Sequence, residues 1–90
     1  MRQIDPKYRI EGDEILNMSG VPIPEDEPLI LFRAHDRHAL AMLHFYRELC
    51  KKDGCTDFHM RGIDNRIDAF GEFADIHPDR MRQPGITRGV

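Results

Sequence analysis

Between residues 36 and 78 the apolar positions fall at helical intervals. Asp36 is a good helix-opening residue, and after it Ala39, Met42, Leu43, Tyr46, Leu49 and Cys50 recur in steps of three and four. The spacing predicts an amphipathic helix over about 35–52. Asp53-Gly54 ends it, because glycine takes the left-handed conformation at a helix C-terminus without strain. Thr56 then opens a second helix that runs to His77, where Pro78 forbids another turn. Its core stripe is Met60, Ile63, Ile67, Phe70 and Ala74, while Asp57, Asp64, Asp68, Glu72 and Asp75 share a separate acidic face that is most simply solvated. Leu43 and Ile67 are central to the two stripes and are expected in the core. A second apolar set on this helix, Phe58, Gly62, Ala69, Phe73 and Ile76, lies outside both faces and needs a partner of its own. That partner is either a second subunit or the remainder of the chain wrapped around the helix.

Before residue 36 the pattern is shorter and extended. Lys7–Ile10 and Glu14–Met18 flank Glu11-Gly12-Asp13, which predicts a β-hairpin. Pro22 and Pro24 are expected to break pairing, Glu25-Asp26-Glu27 forms an acidic loop, and the apolar run Pro28–Arg33 fits a third strand. Residues 79–90, with Pro84, Gly85 and Gly89, read as a frayed tail. No repeat, low-complexity run or linker divides the chain. The expected architecture is α+β: a two- or three-stranded antiparallel β element packed on an antiparallel pair of α-helices, one domain over 1–78 followed by a flexible tail.

Composition narrows the function classes. With 40% hydrophobic and 32% charged residues in a 90-residue chain, a small folded domain is expected rather than a disordered or membrane segment. No stretch has the length of an apolar membrane span or of a signal-peptide core, so a cytoplasmic location is expected. The net charge of −3 is uneven: −4 over residues 1–30, +2 over 31–56, −4 over 57–79 and +3 over 80–90. A general nucleic-acid binder would be basic over a broad face, and this chain is basic only locally.

The local basic stretch is Arg33-Ala34-His35-Asp36-Arg37-His38, at the start of the first helix. Backbone N–H groups and the helix dipole favour an anion there, and Arg33, His35, Arg37 and His38 add side-chain donors. The competing reading has Asp36 capping the helix, the arginines paired with Glu25, Asp26 or Glu27, and the histidines as plain surface residues. No metal site and no cofactor are expected, since His35, His38, His44, His59 and His77 have no zinc-type spacing; Cys50 and Cys55 straddle the Asp53-Gly54 turn, but Cys50 reads as a packed apolar residue. No hydroxyl nucleophile sits in a catalytic motif and the carboxylate pairs lie on an exposed face, so no catalytic residues are assigned and the chain is read as a non-enzyme.

The segments Ser19-Gly20-Val21-Pro22-Ile23-Pro24-Glu25-Asp26-Glu27-Pro28, Leu31–Asp36 and His77-Pro78-Asp79-Arg80-Met81 resemble small uncharacterised proteins of tailed phages and prophages. The resemblance covers most of residues 14–85 and implies an accessory protein acting in a bacterial cytoplasm. Proteins of that setting often counter host defence. Two functions follow as expectations. One is an oligomeric protein that binds an anionic small ligand, such as a nucleotide signal, through Arg33, His35, Arg37 and His38. The other is an interaction module that uses its acidic loop and helix face to block a host protein. Homo-oligomerisation through Phe58, Gly62, Ala69, Phe73 and Ile76 is expected.

Overall fold

Gly12, at φ +61°, takes the first position of the two-residue loop that turns one strand into the next. In the computed structural model, which describes residue 5 and residues 7–83, this loop joins β1 (Tyr8–Glu11) to β2 (Glu14–Asn17) in antiparallel register, with Ile10 opposite Ile15 and Arg9 opposite Leu16. The chain is thus α+β, a two-stranded antiparallel sheet and two helices, and it divides into two compact units, Met1–Ile30 and Leu31–Val90.

In the first unit Asn17 rebuilds the chain direction after β2. Its side-chain oxygen accepts from the Ser19 and Val21 N–H groups, 2.9 and 3.0 Å, and Gly20 at φ +80° completes the turn. Residues 21–23 then run back along β2: Asn17 N–H donates to Val21 O and Ile23 N–H to Ile15 O. The prolines were expected to break pairing here. Pro22 instead sits opposite Leu16 in an isolated bridge, tolerated because only its neighbours' polar groups face the ladder. Among the described residues of this unit, Leu16 is the buried one.

The third strand expected at Pro28–Arg33 is not formed. Residues 28–33 carry no regular structure, and Leu29, Ile30 and Leu31 are exposed. The free side of β2 pairs with residues 21–23, and an apolar run alone does not make a strand.

The second unit is a helical hairpin. The first helix, α1 (Ala39–Lys52), starts later than the sequence pattern suggests, because residues 33–39 form successive turns and Asp36 is bridged to Arg82. Arg82 N–H donates to His35 O and Arg37 N–H donates to Arg82 O, at 2.7 and 3.0 Å. This pairing and a short 3-10 turn at Pro78–Arg80 give residues 78–82 a defined place, where a frayed tail was expected; residues 84–90 of that expected tail lie outside the described residues.

The second helix, α2 (Asp57–Ile76), opens on Thr56, whose hydroxyl accepts the His59 N–H. Ala39, Cys50 and Ile63 are buried in the unit, and Leu43, Met60, Ile67, Phe70 and Ala74 are half-buried around them. Contacts step backwards along α1 as they step forwards along α2, from Cys50–His59 to Arg47–Asp64, so the helices are antiparallel. Asp64 was expected on a solvated acidic face. It is instead gripped by Arg47, whose Nε and Nη2 donate to both carboxylate oxygens. That hydrogen bonding is the main reason the Asp64 carboxyl has a pKa below the ordinary carboxylate value; desolvation opposes it and charge attraction adds to it.

Two predictions follow from the hairpin. Ile63→Ala removes the one buried branched side chain of α2 and should cost about 2–5 kcal/mol, more than Ile67→Ala at its half-buried site; thermal unfolding that ranks them equal would refute the assignment. The Asp64 contribution is complete above the unfolded carboxylate value, about pH 4, and is lost as pH falls through the lower folded value. Acid titration of stability should therefore be flatter below about pH 4 in Asp64→Asn than in the parent, and identical acid limbs would show that the pair adds nothing.

Candidate functional site

The stretch Arg33–His38 uses its backbone internally. Asp36 N–H donates to Arg33 O, Arg37 N–H to Arg82 O, His38 N–H to Asp36 Oδ1 and Ala39 N–H to Asp36 O. Four donors that an anion would need are thereby engaged, and a carboxylate occupies the position where the anion was expected. Arg33, Arg37 and His38 are exposed and His35 is half-buried. Among the described residues neither arginine forms an ion pair.

The second apolar set of α2 is not one continuous surface. Gly62, Ala69 and Phe73 are half-buried, with the Arg80 guanidinium over the Phe73 ring at 4.7 Å and the His77 ring 5.0 Å from it. Phe58 and Ile76 are exposed, but they lie near opposite ends of α2, about 27 Å apart along its axis. The continuous exposed apolar surface is on α1. Met42, Phe45, Tyr46 and Leu49 are 48, 68, 44 and 45% exposed and fall within about 100° of the helix circumference. Met42, Tyr46 and Leu49 belong to the stripe read from the sequence and are exposed rather than core-facing, and Phe45, outside that stripe, extends the arc.

A different group of side chains converges where α1 turns into α2. Gly54 at φ +71° lets the chain reverse so that its own N–H donates to Lys51 O and the Cys55 N–H to Cys50 O, 3.2 and 3.1 Å. This pair of bonds sets the third-last residue of the helix beside the second residue after its cap, here Cys50 beside Cys55. Thr56 caps α2 immediately afterwards, which places His59 on the first turn above the same point. The two sulfurs and a ring nitrogen of His59 all lie within 4.8 Å of one another. Cys50 Sγ is 3.6 Å from His59 Nε2, and the Tyr46 hydroxyl is 3.3 Å from the same nitrogen, its ring meeting the imidazole edge-on.

No disulfide joins Cys50 and Cys55. Two sulfurs and an imidazole form the donor set in this fold suited to a borderline-soft cation. The sequence reading weighed the histidines by their mutual spacing and the cysteines by theirs, and so missed that a tight turn adds His59 to the thiols. Comparison with protein families, curated proteins and solved structures returns no match, so the functional reading rests on the chain's own residues.

Burial separates the two thiols. Cys50 is buried and Cys55 half-buried, so limited alkylation of the native chain should label Cys55 first. Peptide mapping that finds both labelled at one rate would contradict the placement.

Proposed function

We propose that the protein is a non-enzymatic interaction module whose working surface is the exposed apolar face of α1. The observation that carries this reading is the arc of Met42, Phe45, Tyr46 and Leu49, spaced i, i+3, i+4 and i+7, the pattern by which a helix lies against a partner. Large apolar side chains clustered in this way cost solubility unless another surface covers them. The partner to which this reading commits is a second copy of the chain, because two-fold contacts between identical faces are the commonest route by which such a patch is covered.

The acidic residues Asp57, Asp68, Glu72 and Asp75 are exposed on α2 and stay outside such a contact. In the phage setting that the resemblance implies, they would meet the basic surface of a host protein, adding to association rate and selectivity. The anion-binding alternative has weaker support, since the backbone donors at 36–39 are already engaged and Asp36 would repel the ligand.

Light scattering of the parent and of Phe45→Glu tests the proposal. A dimeric parent and a monomeric, still helical variant are expected. A monomeric parent at high concentration, or a dimer indifferent to Phe45→Glu, overturns the reading.

A further inference from the structure

The α1–α2 turn has a chemistry that the interaction surface does not use. We propose that Cys50, Cys55 and His59 form a binding site for a single zinc-type divalent cation, which staples the two helices at their junction.

The argument is first one of placement. The three donors come from one contiguous stretch of ten residues, and each is positioned by backbone hydrogen bonds rather than by a flexible loop: Cys50 and Cys55 by the bonds around Gly54, and His59 by the Thr56 cap. Preorganised ligands lose little freedom on binding, which favours metal over the open chain.

The distances agree with a small ion. Zinc holds sulfur at about 2.3 Å and imidazole nitrogen at about 2.0–2.1 Å in tetrahedral geometry, which separates sulfur from nitrogen by about 3.6 Å. Cys50 Sγ and His59 Nε2 are 3.6 Å apart, which is also a thiol–imidazole hydrogen-bonding distance, and the whole set closes within 4.8 Å. A shift of about 1 Å at Cys55, on the connecting turn outside both helices, completes the three-ligand face. The nitrogen that faces Cys50 is Nε2, and the Tyr46 hydroxyl, 3.3 Å from the same nitrogen, gives up that contact when a cation binds.

Burial adds selectivity. Cys50 is buried and its two partners are half-buried, so a cation there is partly shielded yet reachable from solvent. Three protein ligands leave a fourth position to water. On binding, both thiols become thiolates and two protons leave to solvent, so affinity rises with pH.

The test uses the full chain, reduced and freed of metal, titrated with cobalt(II) and then zinc. One equivalent of cobalt should produce thiolate-to-metal charge-transfer and tetrahedral d–d bands, which zinc displaces. Zinc should also raise the thermal midpoint, increasingly with its concentration. Cys55→Ser and His59→Gln, both at half-buried positions, should stay folded and helical without metal but bind about a hundredfold more weakly or worse, as each loses one of three ligands. Absence of tetrahedral cobalt bands in the reduced parent, or bands unchanged in a chain carrying both Cys55→Ser and His59→Gln, overturns the proposal.

Discussion

The second unit depends on one backbone constraint, the reversal between Lys52 and Asp57. Gly54 in the left-handed region ends α1, and the bonds to Lys51 O and Cys50 O satisfy carbonyls that a helix end would otherwise leave open. Thr56 then starts α2 two residues later by taking a free N–H of the new helix. With so short a connection the helices can only return antiparallel, side by side. Everything else in the unit follows from that geometry: Ile63 reaches the core with Ala39 and Cys50, Arg47 reaches Asp64, and His59 arrives beside two thiols.

The same geometry limits how much of α1 can be covered. A single neighbouring helix shields one arc of its surface, from Ala39 and Cys50 to half-buried Leu43. The apolar stripe of α1 is wider than that arc, so Met42, Phe45, Tyr46 and Leu49 remain exposed beyond it. The outward face of α2 is acidic, whereas that of α1 is greasy. A helix pair with one apolar and one acidic outer face has surfaces for two kinds of contact, and the interaction reading draws on that asymmetry.

Local signals were the legible part of the sequence. Gly54, Thr56 and Pro78 marked helix ends, and Gly12-Asp13 marked the hairpin, because each acts through its own backbone or side chain. Contacts across the chain were not legible. Asp64 looked like the rest of the acidic stripe until Arg47 was placed opposite it, and Arg82 looked like tail until it paired with residues 35–37. That pairing also delayed α1 past Asp36. Pro28–Arg33 had the composition of a strand, but residues 21–23 are the ones that pair with the free side of β2. His59 and the cysteines needed the turn conformation itself, since their spacing matches no familiar ligand pattern.

The constraint at Gly54 is tested most directly by comparing two glycine substitutions in thermal unfolding. Neither Gly54 nor Gly71 has an atom within 4 Å of where a Cβ would lie, so sterics against neighbours do not separate them. Backbone conformation does: Gly54 lies at φ +71°, and Gly71 is inside α2. Gly54→Ala should destabilise by about 1–2 kcal/mol, the cost of forcing a side chain into the left-handed region. Gly71→Ala should stabilise by up to about 1 kcal/mol, through helix propensity. Opposite shifts of the midpoint support the turn as the element that organises the helix pair, and equal shifts in one direction would contradict it.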